Sequence, residues 1–384
     1  MTPEKLKTPA GQATERVIEA QVGRSLWDDA WARLRANRAA MASFIALFVI
    51  TVACFFGPML SPHSFDAVYR DYVKVPASMQ TYPRQDAISP VLEKVLKRAR
   101  LTASDVQITD TQVIAKVESS RRAIRENTVR YVDRSDLFTN ARFEAFSEDK
   151  KSATLIAEID KMHFYFGTDA NGRDLMTRTL IAGRVSLLIG LLASGVALLI
   201  GVTYGSLSGY LGGRADLIMM RVVDVLYSLP FIFFVILLVV FFGRNFVLMF
   251  IAVGAVEWLD MARIVRGQTL SIKRQEYVLA AEAMGVGARG ILRRHVIPNT
   301  LGPVVIFVTL LVPKVILLES FLSFLGLGVQ EPMTSWGVLI SEGARNLQGA
   351  GWMLIFPSIF LTTTLFALNF IGDGLRDALD PKDR

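Results

Sequence analysis

Apolar and polar stretches alternate on a long scale along this chain. Uncharged apolar runs occupy residues 39–60, 185–213, 225–243 and 346–372. Each meets or exceeds the roughly 18 residues that a bilayer-spanning helix needs. Two more stretches, 245–264 and 295–324, are apolar with isolated charges. The pattern predicts six transmembrane helices and an all-α polytopic membrane protein. Between the first and second runs it changes character. Residues 61–182 contain no spanning segment and mix 19 Lys/Arg with 17 Asp/Glu. Within them, 90–101 reads as an amphipathic helix, 106–117 and 129–132 as strand-prone, and 153–159 as helix or strand. Apolar residues recur throughout, so a small folded α+β insertion is expected rather than a disordered linker.

The expected divisions are a polar tail at 1–38, a first span at 39–60, the insertion at 61–182, a five-span core at 183–373 and a tail at 374–384. Before the first span, Leu26, Trp27, Ala30, Trp31 and Leu34 fall at helical spacing beside basic residues. That stripe fits a helix lying on the membrane surface or one held by a partner protein. In the second span Gly201, Gly205, Gly209 and Gly213 recur every four residues, making a smooth face for close helix packing.

A hydrophobic content of 52% and a mean hydropathy of +0.39 exclude an ordinary soluble enzyme. In a soluble chain the net charge of +7 would suggest nucleic acid, and a basic stripe for such a ligand is the competing reading. Placement argues for a membrane instead. Arg24, Arg33, Arg35 and Arg38 precede the first span, and Arg214 and Arg221 follow the second. Arg263, Arg266, Lys273, Arg274, Arg289, Arg293 and Arg294 surround a loop at 265–299, whereas the short loops opposite offer only Arg244 and Arg345. That bias puts the loop and both termini in the cytoplasm and the insertion outside. No nucleic-acid partner is expected. The single cysteine, Cys54, lies in the first span and reads as a packing residue. A long charged tail precedes that span, so it is expected to be an uncleaved anchor.

Asp224, Glu257, Asp260, Lys314 and Glu319 fall in or near spans, where charge is costly. Sequence proximity pairs Asp224 with Arg221, and Glu257 and Asp260 with Arg263. Lys314 and Glu319 face either a water-filled pathway or a neighbouring helix. Gly285, Gly287 and Gly290 match GxGxxG but follow no strand, so they read as turns. His63, His163 and His295 lack ligand spacing, and there is no GxxxxGK[ST] loop. No catalytic residue, metal or cofactor of this chain's own is predicted.

The polar loop carries most of the functional signal. Residues 276–284 form a short helix pattern beginning at Glu276 and rich in small Ala280, Ala281 and Ala283. Gly285 suits a C-cap, and Pro298 marks a new helix start. A helix of small, exposed residues between membrane segments is shaped to dock into a cleft of another protein. Here the chain resembles the bacterial ABC-importer permeases, whose signature is Glu-Ala-Ala, three residues, Gly, nine residues, Ile, one residue, Leu-Pro. Ala280, Ala281, Gly285 and Pro298 fall in register, while Leu279 stands for the Glu, His295 for the Ile and Ile297 for the Leu.

Just before the second span, Gly167, Thr168, Asp169, Gly172, Arg173 and Asp174 match a Gly-Thr-Asp-x-x-Gly-Arg-Asp run of that family's peptide-transporting branch. Thr168 and Asp169 suit turn or cap positions, Gly172 permits an unusual backbone angle, and Asp and Arg so close can pair. A rigid re-entry into the membrane is expected, with a ligand role for Asp169 or Arg173 left open. Further matches are Gly209–Gly213 with Asp216, Ala262-Arg263 through Gly267, Phe321–Gly328, and the tail from Gly372 to Asp377 with Asp380-Pro381. The resemblance is to the C-type permease subunit of dipeptide and oligopeptide importers, with an insertion longer than that family usually carries. It implies the type I ABC importer permease fold in the bacterial inner membrane. The partners it implies are a B-type permease in a heterodimer, two ABC ATPases that bind the ATP and Mg, an extracytoplasmic solute-binding protein, membrane lipid and a peptide substrate. Nickel chelates or a peptide antibiotic are alternative cargoes. The rival from another class is an ion-coupled secondary transporter using Lys314, Glu319 or Asp224.

Overall fold

The structure, a computed structural model, describes residues 26–120, 122–243 and 246–379. Arg24, Arg244 and the Asp380-Pro381 pair lie outside the described residues, as do the side chains of Leu26 and Trp27. The chain begins with α1 (Leu26–Ala36) and α2 (Arg38–Leu60). Asn37 separates them, its side chain accepting from the N–H groups of Ala39 and Ala40 at 3.1 and 3.2 Å. Among the described side chains of the α1 stripe, Trp31 is exposed. Ala30 and Leu34 are buried with Ala40 and Ala378 against the end of the last helix.

The insertion opens with α3 (Gln85–Arg98). It continues through β1 (Thr102–Ile108), β2 (Gln112–Glu118), the short helix α4 (Arg130–Asp133), β3 (Phe138–Glu144) and β4 (Ser152–Ile159). The strands form one antiparallel sheet in the order β1-β2-β4-β3. Alternate residues of β2 and β4 turn inward, as the two-residue period of a strand requires. Val113, Ala115 and Val117 thereby meet Leu155, Ala157 and the α3 residues Leu92, Val95 and Leu96 in one core. The 106–117 stretch is thus two strands with a turn inside it. Residues 129–132, read as strand-prone, are instead helical turns. Only Val132 of that stretch is buried, and a single inward β-branched residue does not hold a strand when packing favours a turn.

The remaining helices are α5 (Leu175–Leu211), α6 (Gly213–Tyr227), α7 (Phe231–Phe242), α8 (Phe246–Ile272), α9 (Glu276–Ala283), α10 (Ala288–Ile291), α11 (Ile297–Phe324), α12 (Trp336–Arg345) and α13 (Trp352–Leu379). Among the described residues four helices are long and apolar enough to cross a bilayer: Arg38–Leu60, Leu175–Leu211, Ala288–Phe324 and Trp352–Leu379. The third apolar run is broken. Gly213–Tyr227 and Ile232–Phe242 meet at 84° and make a fifth span only if taken together. Helix α8 is 27 residues long, but Glu257, Asp260, Arg263 and Arg266 within it keep it out of that count. Pro298 lies in the first turn of α11, which begins at Ile297. It sits in the continuous Ala288–Phe324 rod, just after a π-turn at Leu292–Val296.

Candidate functional site

The loop helix α9 hangs below the long helices on a small core of its own. Val278 and Ala281, one turn apart, pack with Ile272 at the end of α8 and with Ile291 and Val296 of the rod. Ala281 is therefore buried, not presented outward, because i and i+3 share a helix face. The opposite face carries Glu276, Leu279 and Ala280, all exposed, with Met284 beyond its end 77% exposed. Gly285 ends the helix at φ +82°, and the Val286 N–H returns to the Ala281 carbonyl at 3.1 Å. Together these form a left-handed cap that favours glycine. His295 is half-buried with its ring 6.2 Å from that of Tyr277. Ile297 is half-buried at the start of α11 and Pro298 is exposed.

Two polar contacts tie this loop to α5. The Tyr210 hydroxyl lies 3.1 Å from Glu282, and Lys273 Nζ donates to the Tyr210 carbonyl at 2.7 Å. Above it, Arg266 of α8 grips Asp216 of α6 through two bonds of 2.5 and 2.6 Å, and Ser208 of α5 adds a third at 2.6 Å. Close approach of α5 and α8 rests on glycines. A Cβ on Gly201 would strike Met261, one on Gly205 the Ala262 carbonyl, and one on Gly209 would lie 2.8 Å from Thr269 Cβ. Gly213 stands apart from this face. It begins α6 at φ +54° with open space around it.

The charges inside the bundle pair across helices rather than along the chain. Asp224 accepts from Arg263 at 2.9 Å, not from Arg221. Glu257 and Asp260 both accept from Lys314, at 2.8 and 3.2 Å. Glu319 is fully buried and hydrogen-bonded by Ser186 and Ser323.

At the other end of α5 the residues 167–174 form a braced turn. Gly167 and Gly172 sit at φ +79° and +81°, and a Cβ on Gly172 would collide with the Tyr69 carbonyl. Thr168 Oγ1 accepts from the Val75 N–H at 2.8 Å, and the Trp352 indole donates to the Thr168 carbonyl at 3.2 Å. Asp174 caps α5 by accepting from the Thr177 N–H at 2.7 Å. Asp169 accepts from the Arg173 N–H at 2.9 Å, from its guanidinium at 2.7 Å and from Arg178. Burial pushes the Asp169 carboxyl up, but Arg178 and the Arg173 donors outweigh it and hold it below the usual aspartate value. Sequence reading missed three members of this network. Arg178 reaches Glu342 of α12 at 3.2 Å, and Arg173 reaches Glu331 at 3.0 Å. The available signal was an arginine one turn inside a helix capped by Asp174.

The model of a family described as "Binding-protein-dependent transport system inner membrane component" matches residues 201–384. A second, "N-terminal TM domain of oligopeptide transport permease C", matches residues 25–84. The oligopeptide transport system permease protein OppC of Haemophilus influenzae is 59% identical over 222 residues, 58% of this chain and 71% of that one. OppC of Escherichia coli K12 is 45% identical over 362 residues, 94% of this chain and 93% of that one. The dipeptide transport system permease protein DppC of Bacillus subtilis is 50% identical over 221 residues, 57% of this chain and 69% of that one. The alignment with the Escherichia coli protein is long enough to run through the insertion.

Proposed function

This chain belongs to the binding-protein-dependent transport system inner membrane components, and from that premise we propose that it is the C-type permease subunit of an ATP-driven peptide importer. The supporting relatives are an oligopeptide permease aligned over 94% of this chain and a dipeptide permease aligned over 57% of it. One structural observation carries the coupling role. Helix α9 has one buried face rooted in α8 and the rod, and one exposed face with Leu279 and Ala280. A load applied to the exposed face passes into α5, α8 and the rod together, through Tyr210 and the Val278–Ala281 core. In this reading the partner ATPases bind ATP and Mg, and their closure pushes α9. The bundle then turns its cavity from the outside to the cytoplasm, a two-state change biased by nucleotide and by cargo.

Six crossings follow if α6 and α7 form one broken span and α8 another. The charges of α8 are compatible with a span because they pair with Lys314, Asp224 and Asp216. Basic residues around α9 support a cytoplasmic position for it and for both termini, with the sheet-bearing insertion outside, where a solute-binding protein delivers peptide. A B-type permease supplies the other half of the pathway. The glycines at 167 and 172, with Asp169, Arg173 and Asp174, serve as the rigid re-entry that fixes α5. Uptake of a labelled tripeptide into proteoliposomes holding the assembled complex tests the reading. It is expected to require ATP and binding protein and to ignore ion gradients. Uptake driven by an ion gradient without ATP would overturn it.

A further inference from the structure

A cavity of about 350 Å³ opens between α6, α7, α8 and α11. Leu226, Pro230, Phe234 and Leu318 give it an apolar wall, and Glu257, Asp260 and Lys314 a charged one. At about 1.5 Å of rise per residue, these charges lie roughly 18–26 Å from the cytoplasmic ends of α8 and α11. That is within the roughly 30 Å that a hydrocarbon core spans. One ammonium faces two carboxylates here. Among the described residues neither carboxylate has another donor, and only two of the three Lys314 N–H groups are used. Glu257 is 5% exposed, Asp260 29% and Lys314 50%. A surplus negative charge at this depth is costly unless water or a cation answers it. A purely structural pair would need one carboxylate.

Resting on the peptide-import reading, we propose that Asp260, Glu257 and Lys314 form a transit site for the amino-terminal residue of the peptide. Asp260 takes its α-ammonium group, the free N–H of Lys314 its first carbonyl oxygen, and the apolar wall its side chain. The pairing of cation and acceptor is what selects this ligand. A bare metal ion would leave the third Lys314 donor without an acceptor and would meet the ammonium's repulsion. An ammonium next to a carbonyl answers both groups, and a cavity of this size accommodates one residue.

The test uses the assembled complex in nanodiscs without the binding protein, so that the binding protein's own selectivity does not enter. The probe is the tripeptide benzoylphenylalanyl-Ala-Ala, photo-crosslinked and mapped by mass spectrometry, against its N-acetylated form. The free-amino probe is expected to label segments 226–234 or 255–260 roughly tenfold more than the acetylated one, the worth of one charge-assisted hydrogen bond. Asp260→Asn, which keeps the Lys314–Glu257 pair, should abolish that preference, and Asp260→Glu should retain it. Equal labelling by both probes in the wild type would overturn the site. So would a preference unaffected by Asp260→Asn, or one lost in both variants. Uptake of the same tripeptide by the wild-type complex with binding protein is measured in parallel. Its absence would sink the import reading, whereas uptake with no labelling preference sinks the transit site alone.

Discussion

Gly209→Ala tests whether the glycine face of α5 sets the distance to α8. An added methyl would lie 2.8 Å from Thr269 Cβ and 2.9 Å from the Arg266 carbonyl oxygen. Both atoms are fixed by backbone and cannot rotate away. Ordinary contact begins at 3.4 Å, so the two helices must part by about 0.6 Å, the difference between 3.4 and 2.8 Å. Overpacking of this kind costs about 1–3 kcal/mol. Gly195→Ala on the same helix is the control. Nothing lies within 4 Å of its added methyl, and alanine favours a helix over glycine by about 0.5–1 kcal/mol. Cys54 supplies the assay, being the single cysteine and 0% exposed. Its reaction with a fluorogenic maleimide during heating in detergent reports unfolding. Gly209→Ala should melt several degrees below Gly195→Ala. Equal melting, or a Gly209→Ala variant more stable than wild type, would refute the close-packing argument.

Three further outcomes are expected. Asp169→Asn leaves buried Arg178 with Glu342 as its remaining carboxylate and should cost about 3–5 kcal/mol at neutral pH. Because the folded carboxyl sits below its ordinary value of 3.8, its stabilisation is present above that value and lost as pH falls through the folded pKa. The gap between wild type and Asp169→Asn in maleimide melting should therefore narrow in strong acid. Gly172→Ala forces a side chain into a left-handed turn against the Tyr69 carbonyl. It should cost about 1–3 kcal/mol, seen as faster proteolysis between residues 61 and 75. Exposed Ser104 and Ser271, each replaced by cysteine in a Cys54→Ala background, should differ in access. Ser104→Cys should react with an impermeant maleimide outside spheroplasts and Ser271→Cys only after permeabilisation, and the reverse would overturn the orientation.

What could be read in the sequence depended on how local the determining force was. The end of α9 was legible because Gly285 acts within one turn of itself. So was the braced turn at 167–174, where every special backbone angle falls on a glycine. Strand β3 was invisible: its register shifts between Thr139 and Arg142, so a bulge breaks the alternation that marks a strand. The ion pairs were misassigned for the same reason. Arg221 lies three residues from Asp224, but packing of α6 on α8 brings Arg263 to it across 39 residues. The inward turn of Ala281 was equally hidden, since α9 alone has almost no amphipathic signal and its core comes from α8 and the rod.

In the proposed importer the exposed face of α9 receives force from another protein. Ala280 is the sharpest probe, because it is exposed on that face and falls in register with the signature shared by the family. In Ala280→Trp a large side chain enters a space that this chain leaves empty. ATP-driven tripeptide uptake should be measured in proteoliposomes holding the complex with Ala280→Trp, alongside maleimide protection of Cys54. Wild-type protection of Cys54 with uptake abolished is expected. Uptake at the wild-type rate would contradict it.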